Sequence, residues 1–188
     1  MNQNGRTLRP PVTRSGAIPF ELKQTREPPM AQMDGIIEGY ASLFGVTDQA
    51  GDRVAPGAFT RSLTKKGASG IRMLYQHLAA EPVGVWTLIK EDARGLFVRG
   101  RLLAGIGRAR EVLALIRAGA LDGLSIGFRT INAVRRPGET VRTLTEIDLW
   151  EVSVVTFPML DAARVTSVKA RADMCFKTRT PHLREGRP

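Results

Sequence analysis

The chain has 188 residues, 43% of them hydrophobic and 24% charged, with a net charge of +10. That is the size and balance of one soluble domain with a core large enough to need no metal or disulfide, and no stretch approaches the roughly 20 apolar residues of a membrane span. Cys175 is the only cysteine, which excludes an intrachain disulfide, and together with His77 and His182 it falls short of the four ligands of a structural zinc site.

The positive charge sits at the ends. Residues 1–30 carry +3 and residues 169–188 carry +4, leaving the middle only mildly basic. Its few aromatics do not alternate with basic residues as a base-stacking platform would, so solvated tails are expected rather than a specific nucleic-acid site. Residues 1–34 are polar and proline-bearing without an apolar signal core, and read as a flexible segment of a cytoplasmic product. A domain over 35–168 follows, then a second flexible basic tail over 169–188.

In chain order, Gly35 to Ala41 reads as a strand, and Asp52 to Leu63 as a turn leading into a short helix. Ile71 to His77 alternates with Ile71, Met73, Tyr75 and His77 on one side. Val83 to Ile89 and Leu96 to Leu103 are strands joined by the turn Asp92-Ala93-Arg94-Gly95. A helix is predicted over Gly107 to Ala118, with Val112, Leu115 and Ile116 on its apolar face and Gly119 as its stop. Leu124 to Val134 and Leu144 to Thr156 are two long strands. Strands outnumber helices without a repeat, so the fold class is α+β, mostly β.

Three residues in this frame could do chemistry. His77 is the only histidine of the domain, and a neutral imidazole can accept a proton from a serine near pH 7 when a carboxylate holds its tautomer. Ser125 lies in Gly123-Leu124-Ser125-Ile126-Gly127. This fits G-x-S-x-G, yet the α/β-hydrolase elbow needs a strand before the serine and a helix after it, and here the order is reversed. What remains is a serine between glycines in a strand, where a substrate backbone can approach closely. Glu151 shares parity with Ile147, Leu149 and Val155, so a regular pleat puts a carboxylate on an apolar face, which requires a partner. Asp148, on the opposite parity with Glu146, is the second candidate for an orienting acid.

Taken together, five segments resemble the prohead protease family of tailed phages, which also occurs in prophages and gene transfer particles. They are Gly51-Asp52-Arg53-Val54-Ala55-Pro56-Gly57-Ala58-Phe59, then Tyr75-Gln76-His77 with Pro82-Val83-Gly84, then Gly95-Leu96-Phe97-Val98-Arg99-Gly100, then Gly123 to Phe128, and finally Glu146 to Pro158. The resemblance covers about Gly35 to Val168 and implies a barrel-like β core with surrounding helices, like that of herpesvirus capsid maturation proteases. It implies a serine endopeptidase with Ser125 as nucleophile and His77 as general base. The second histidine of the herpesvirus enzymes has no counterpart in this domain, and the resemblance implies Glu151 for the third catalytic role, as it fits the acidic residue of the family's late strand motif. No cofactor or metal is called for. The implied partner is the major capsid protein, trimmed inside assembling proheads in the host cytoplasm, with self-cleavage and self-association expected and no membrane partner.

Two rivals are weighed against this. A non-catalytic scaffold that binds capsid protein and nucleic acid through its basic ends would show long charged helices, and only short helices precede Ser125. A serine–lysine hydrolase would rest on Lys90, the one lysine between His77 and Ser125, which sits beside a turn.

Overall fold

A computed structural model describes residues 35–170. In it β1 (Gly35–Leu43) buries Ile37, Gly39 and Ala41 while Ile36, Glu38 and Tyr40 remain half-buried, the alternation expected of a strand with one core face. After it come β2 (Asp52–Val54), α1 (Thr60–Lys66), a turn of 3-10 helix at Ala68–Gly70, β3 (Arg72–Tyr75), β4 (Leu78–Glu91) and β5 (Gly95–Leu102). Then follow α2 (Gly107–Arg117), β6 (Gly123–Val134), β7 (Arg142–Val155) and β8 (Val165–Ala170). The expected tails lie outside the described residues, except for Lys169 and Ala170, which end β8.

All eight strands join one mixed sheet in the order β2-β7-β3-β4-β5-β1-β8, with β6 also paired to β7. The antiparallel β6 runs along one edge of β7, and the parallel β2 and β3 share the other. The ladders do not close, but the sheet curls far enough for its ends to meet through single bonds. Leu124 N–H donates to Ala163 C=O (2.9 Å), Val165 N–H to Asp122 C=O (2.7 Å) and Tyr40 N–H to Arg164 C=O (3.2 Å), tying the start of β6 to β1. The result is the barrel-like core that was expected. Its interior is filled by Phe59, Met73, Val98, Leu102, Leu149 and Val152, among others.

The α2 helix covers this core with Ala109, Val112, Leu113 and Ile116. Leu115, predicted on the apolar face, is 40% exposed. Two overlapping stripes of spacing three and four run along this helix, and the core takes the one containing Leu113. Gly119 does end the helix, at φ 73°, with Ala120 N–H donating to Leu115 C=O and Gly119 N–H to Ile116 C=O. This pair of bonds is the Schellman arrangement, which favours glycine at the left-handed position.

Between β2 and β3 the second edge of β7 lacks a strand partner, and α1 with its leading turn fills the gap. Ile147 N–H donates to Ala58 C=O (3.0 Å), Leu149 N–H to the buried Ser62 hydroxyl (3.0 Å), and Lys66 Nζ to Leu149 C=O (2.8 Å). An unpaired buried amide costs about 1–3 kcal/mol. Ser62→Ala is therefore expected to lower unfolding stability by about that amount in urea titration while leaving the strands in place.

Candidate active site

β7 carries the carboxylate of the site, and a break in its register decides which way that carboxylate faces. Opposite β6, Glu151 pairs with Gly127 but Leu149 pairs with the adjacent Phe128, so Trp150 is an extra residue bulged out of β7. The pleat changes parity there. Ile147 and Leu149 before the bulge, and Val152 and Val154 after it, all join the core. Glu151 and Ser153 turn to the other face. The regular-pleat expectation that Glu151 shares the face of Ile147 and Leu149 is thus overturned by the bulge. So is the expectation that Asp148 faces away from it. Asp148 pairs with Arg129 and Glu151 with Gly127, residues two apart on β6 and hence on one face.

Asp148 is nevertheless committed elsewhere. It accepts from Lys66 Nζ (2.5 Å) and Trp150 Nε1 (2.9 Å) and lies 3.5 Å from Arg129. The Lys66 bond, followed by the Trp150 bond, holds its carboxyl below the usual range.

His77 is not a strand residue, as the alternation from Ile71 had implied. β3 ends at Tyr75, and Gln76 and His77 follow at φ 52° and 59°, left-handed backbone that costs non-glycine residues roughly 1–2 kcal/mol each. Bonds to β7 and its end hold this turn. Gln76 N–H donates to Val154 C=O (3.0 Å), Gln76 Nε2 to Thr156 Oγ1 (2.6 Å), and His77 N–H to Ser153 Oγ (3.2 Å). The imidazole is thereby turned back over β7, where Nδ1 lies 2.6 Å from Glu151 Oε1. The Glu151 side chain is only 11% exposed, while that of His77 is 41% exposed. The bond to Glu151 raises the His77 pKa, partial burial opposes the rise, and the carboxylate's charge adds to it. With Nδ1 taken by Glu151, Nε2 is the ring atom left to exchange a proton.

On the other side of β7 lies Ser125. It pairs in register with Ser153, as Gly127 does with Glu151, which puts Ser125 and Glu151 on one face. His77 and Ser125 thus flank the same residue of β7 from its two edges, on the order of 10 Å apart between backbones at ordinary strand spacing. Ser125 is buried at 3% exposure, and its hydroxyl has no hydrogen-bond partner among the described residues. It borders a small cleft lined by Val54, Leu124, Phe128 and Met159 together with Asp48 and Asp52. Ser153, fully buried between the two, is a site residue that the sequence reading missed. The described residues contain no cluster of His, Cys, Asp and Glu side chains arranged to hold a metal.

A family model spans residues 21–177, most of the chain, under the description caudovirus prohead serine protease. The chain belongs to that family. It is 38% identical over 138 residues to the prohead protease of Enterobacteria phage HK97, covering 72% of this chain and 61% of the HK97 protein. It is also 32% identical over 106 residues to a capsid polyprotein of Pseudomonas phage PAJU2, covering 53% of this chain and 16% of that protein. Among solved structures, the bacteriophage T4 capsid assembly protease shares the fold, with a TM-score of 0.55 at 16% identity over 65% of this chain and 82% of that one.

Proposed function

We propose that this prohead protease family member is a serine endopeptidase of capsid maturation, with Ser125 as nucleophile, His77 as general base and Glu151 as the acid that orients His77. The observation that carries this reading is the bond between a buried carboxylate and a partly exposed imidazole beside a strand serine whose hydroxyl is uncommitted. Ser125 Oγ attacks the scissile carbonyl as His77 Nε2 takes its proton. Glu151 fixes the Nδ1–H tautomer and stabilises the imidazolium, and the same ring then protonates the leaving amine. Backbone N–H groups near Ser125 and Arg129 are the candidates for holding the oxyanion. Water then resolves the acyl-enzyme.

The substrate in this reading is the major capsid protein, whose scaffolding segment is removed inside the assembling prohead, and the chain also cleaves itself. Support comes from the family and from the capsid polyprotein among its relatives. Co-expression with the cognate capsid protein tests it. Trimmed capsid protein in assembled shells is expected, and full-length protein in shells made with the unaltered chain would contradict the reading.

A pH dependence follows from the His77–Glu151 bond. The imidazolium cannot accept a proton, so kcat/KM is expected to fall on the acid side with a midpoint above the ordinary histidine value of about 6.5. Glu151→Gln is expected to move that limb to lower pH. Stability runs the opposite way. A histidine whose pKa is raised by folding contributes stability fully below its unfolded value and loses it as pH rises through the folded one. The pair therefore steadies the fold most where the enzyme works least.

A further inference from the structure

Resting on the reading of His77 as general base, we propose that Ser153 is the positioning residue of the site, holding Glu151 and His77 in register with one another through a single buried hydroxyl. A serine hydroxyl has one proton to donate and lone pairs to accept with. Ser153 Oγ donates to Glu151 Oε2 (2.5 Å) and accepts from the His77 backbone N–H (3.2 Å). Glu151 Oε1 meanwhile holds the His77 ring. These three bonds form a loop of hydroxyl, carboxylate, imidazole and backbone amide, and each oxygen of the carboxylate has its own partner. Without Ser153 the carboxylate is free to rotate away from the ring, and the left-handed turn at His77 loses the bond that the His77 backbone makes to β7.

The opposite strand makes room for this carboxylate position. A Cβ at Gly127 would stand 2.0 Å from Glu151 Oε1 and 2.7 Å from its carboxyl carbon. Gly127 therefore gives the carboxylate its space from β6, while Ser153 fixes its rotation from β7. The two act on the same carboxylate from different strands, Gly127 beside Oε1 and Ser153 at Oε2.

The test reads His77 directly, in the full-length chain carrying Ser125→Ala so that no self-cleavage intervenes. The ring is titrated by NMR, with a His182→Asn chain separating the two histidine signals. Adding Ser153→Ala is expected to lower the His77 midpoint by at least about half of the drop caused by Glu151→Gln, because both weaken the same hydrogen bond. Gly127→Ala is expected to lower it as well. In the active chain Ser153→Ala is expected to reduce kcat by about 10–100-fold, with KM much less affected. In a Glu151→Gln background the same change should cost no more than about twofold.

If Ser153→Ala does not fold, Ser153→Cys, which keeps the volume and offers only a weak donor, carries the same titration. A His77 midpoint that stays or rises on losing the hydroxyl, or rate losses from Ser153→Ala and Glu151→Gln that multiply, would overturn the proposal. The protease reading fails separately. An unaltered chain that cleaves nothing, combined with the expected drop in the His77 midpoint, would remove the activity and leave the role of Ser153 in holding the pair.

Discussion

Shells assembled with the Ser125→Ala chain are expected to contain only full-length capsid protein. The change deletes one hydroxyl from a buried strand residue that makes no side-chain hydrogen bond among the described residues, so neither a cavity of consequence nor an orphaned partner results. Ser125→Ala should therefore fold and assemble normally while losing on the order of 10⁴–10⁶ in single-turnover cleavage, the scale for removing the nucleophile of a serine hydrolase. His77→Ala should match it, and the double variant should be no worse than either, since residues that act as one unit do not lose rate additively. Intact mass is a second readout. If the chain trims itself, the unaltered protein should be shorter than Ser125→Ala under assembly conditions.

The next largest effect is expected from Glu151→Gln. The amide keeps the size of the side chain and can still meet the Ser153 hydroxyl, but it cannot stabilise the imidazolium and can favour the wrong tautomer. Acylation should slow by up to about four orders of magnitude with little change in stability. Asp148→Asn is the control. Its carboxyl meets Lys66, Trp150 and Arg129 rather than His77, so single-turnover cleavage should change little, and the loss should appear as a modest drop in unfolding stability. Near-normal cleavage by Glu151→Gln would reduce the site to a Ser125–His77 dyad.

Much of this arrangement is legible in the sequence, because strand alternation and turn residues are local signals. The strand from Gly35 to Ala41, the turn at Asp92 to Gly95, the helix closed by Gly119 and the long strands bearing Ser125 and Glu151 all follow from pattern. What pattern cannot show is a change of pleat. The stretch Leu149-Trp150-Glu151-Val152 has apolar residues on both parities, so the bulge at Trp150 leaves no trace in composition, and parity assigns Glu151 to the face of Ile147 and Leu149. Glu151 is still the acid beside His77, but for a different reason from the one strand parity offers. His77 illustrates the same limit. Its left-handed backbone is imposed by bonds to β7, roughly 75 residues away, against local preference.

β8 was missed because its place is set by backbone pairing with β1, and the side chains of Val165 to Lys169 do not alternate cleanly between buried and exposed. Ser153 was missed because a small polar residue among valines reads as ordinary strand. Its importance appears only when β3, β6 and β7 are laid side by side.

Labelling with a fluorophosphonate followed by peptide mass mapping reads out whether Ser125 is a nucleophile activated by His77. One stoichiometric adduct is expected on Ser125 in the unaltered chain, with its near-complete loss in His77→Ala although Ser125 is still present. Labelling of a different serine, or labelling of Ser125 that proceeds equally well without His77, would contradict this assignment.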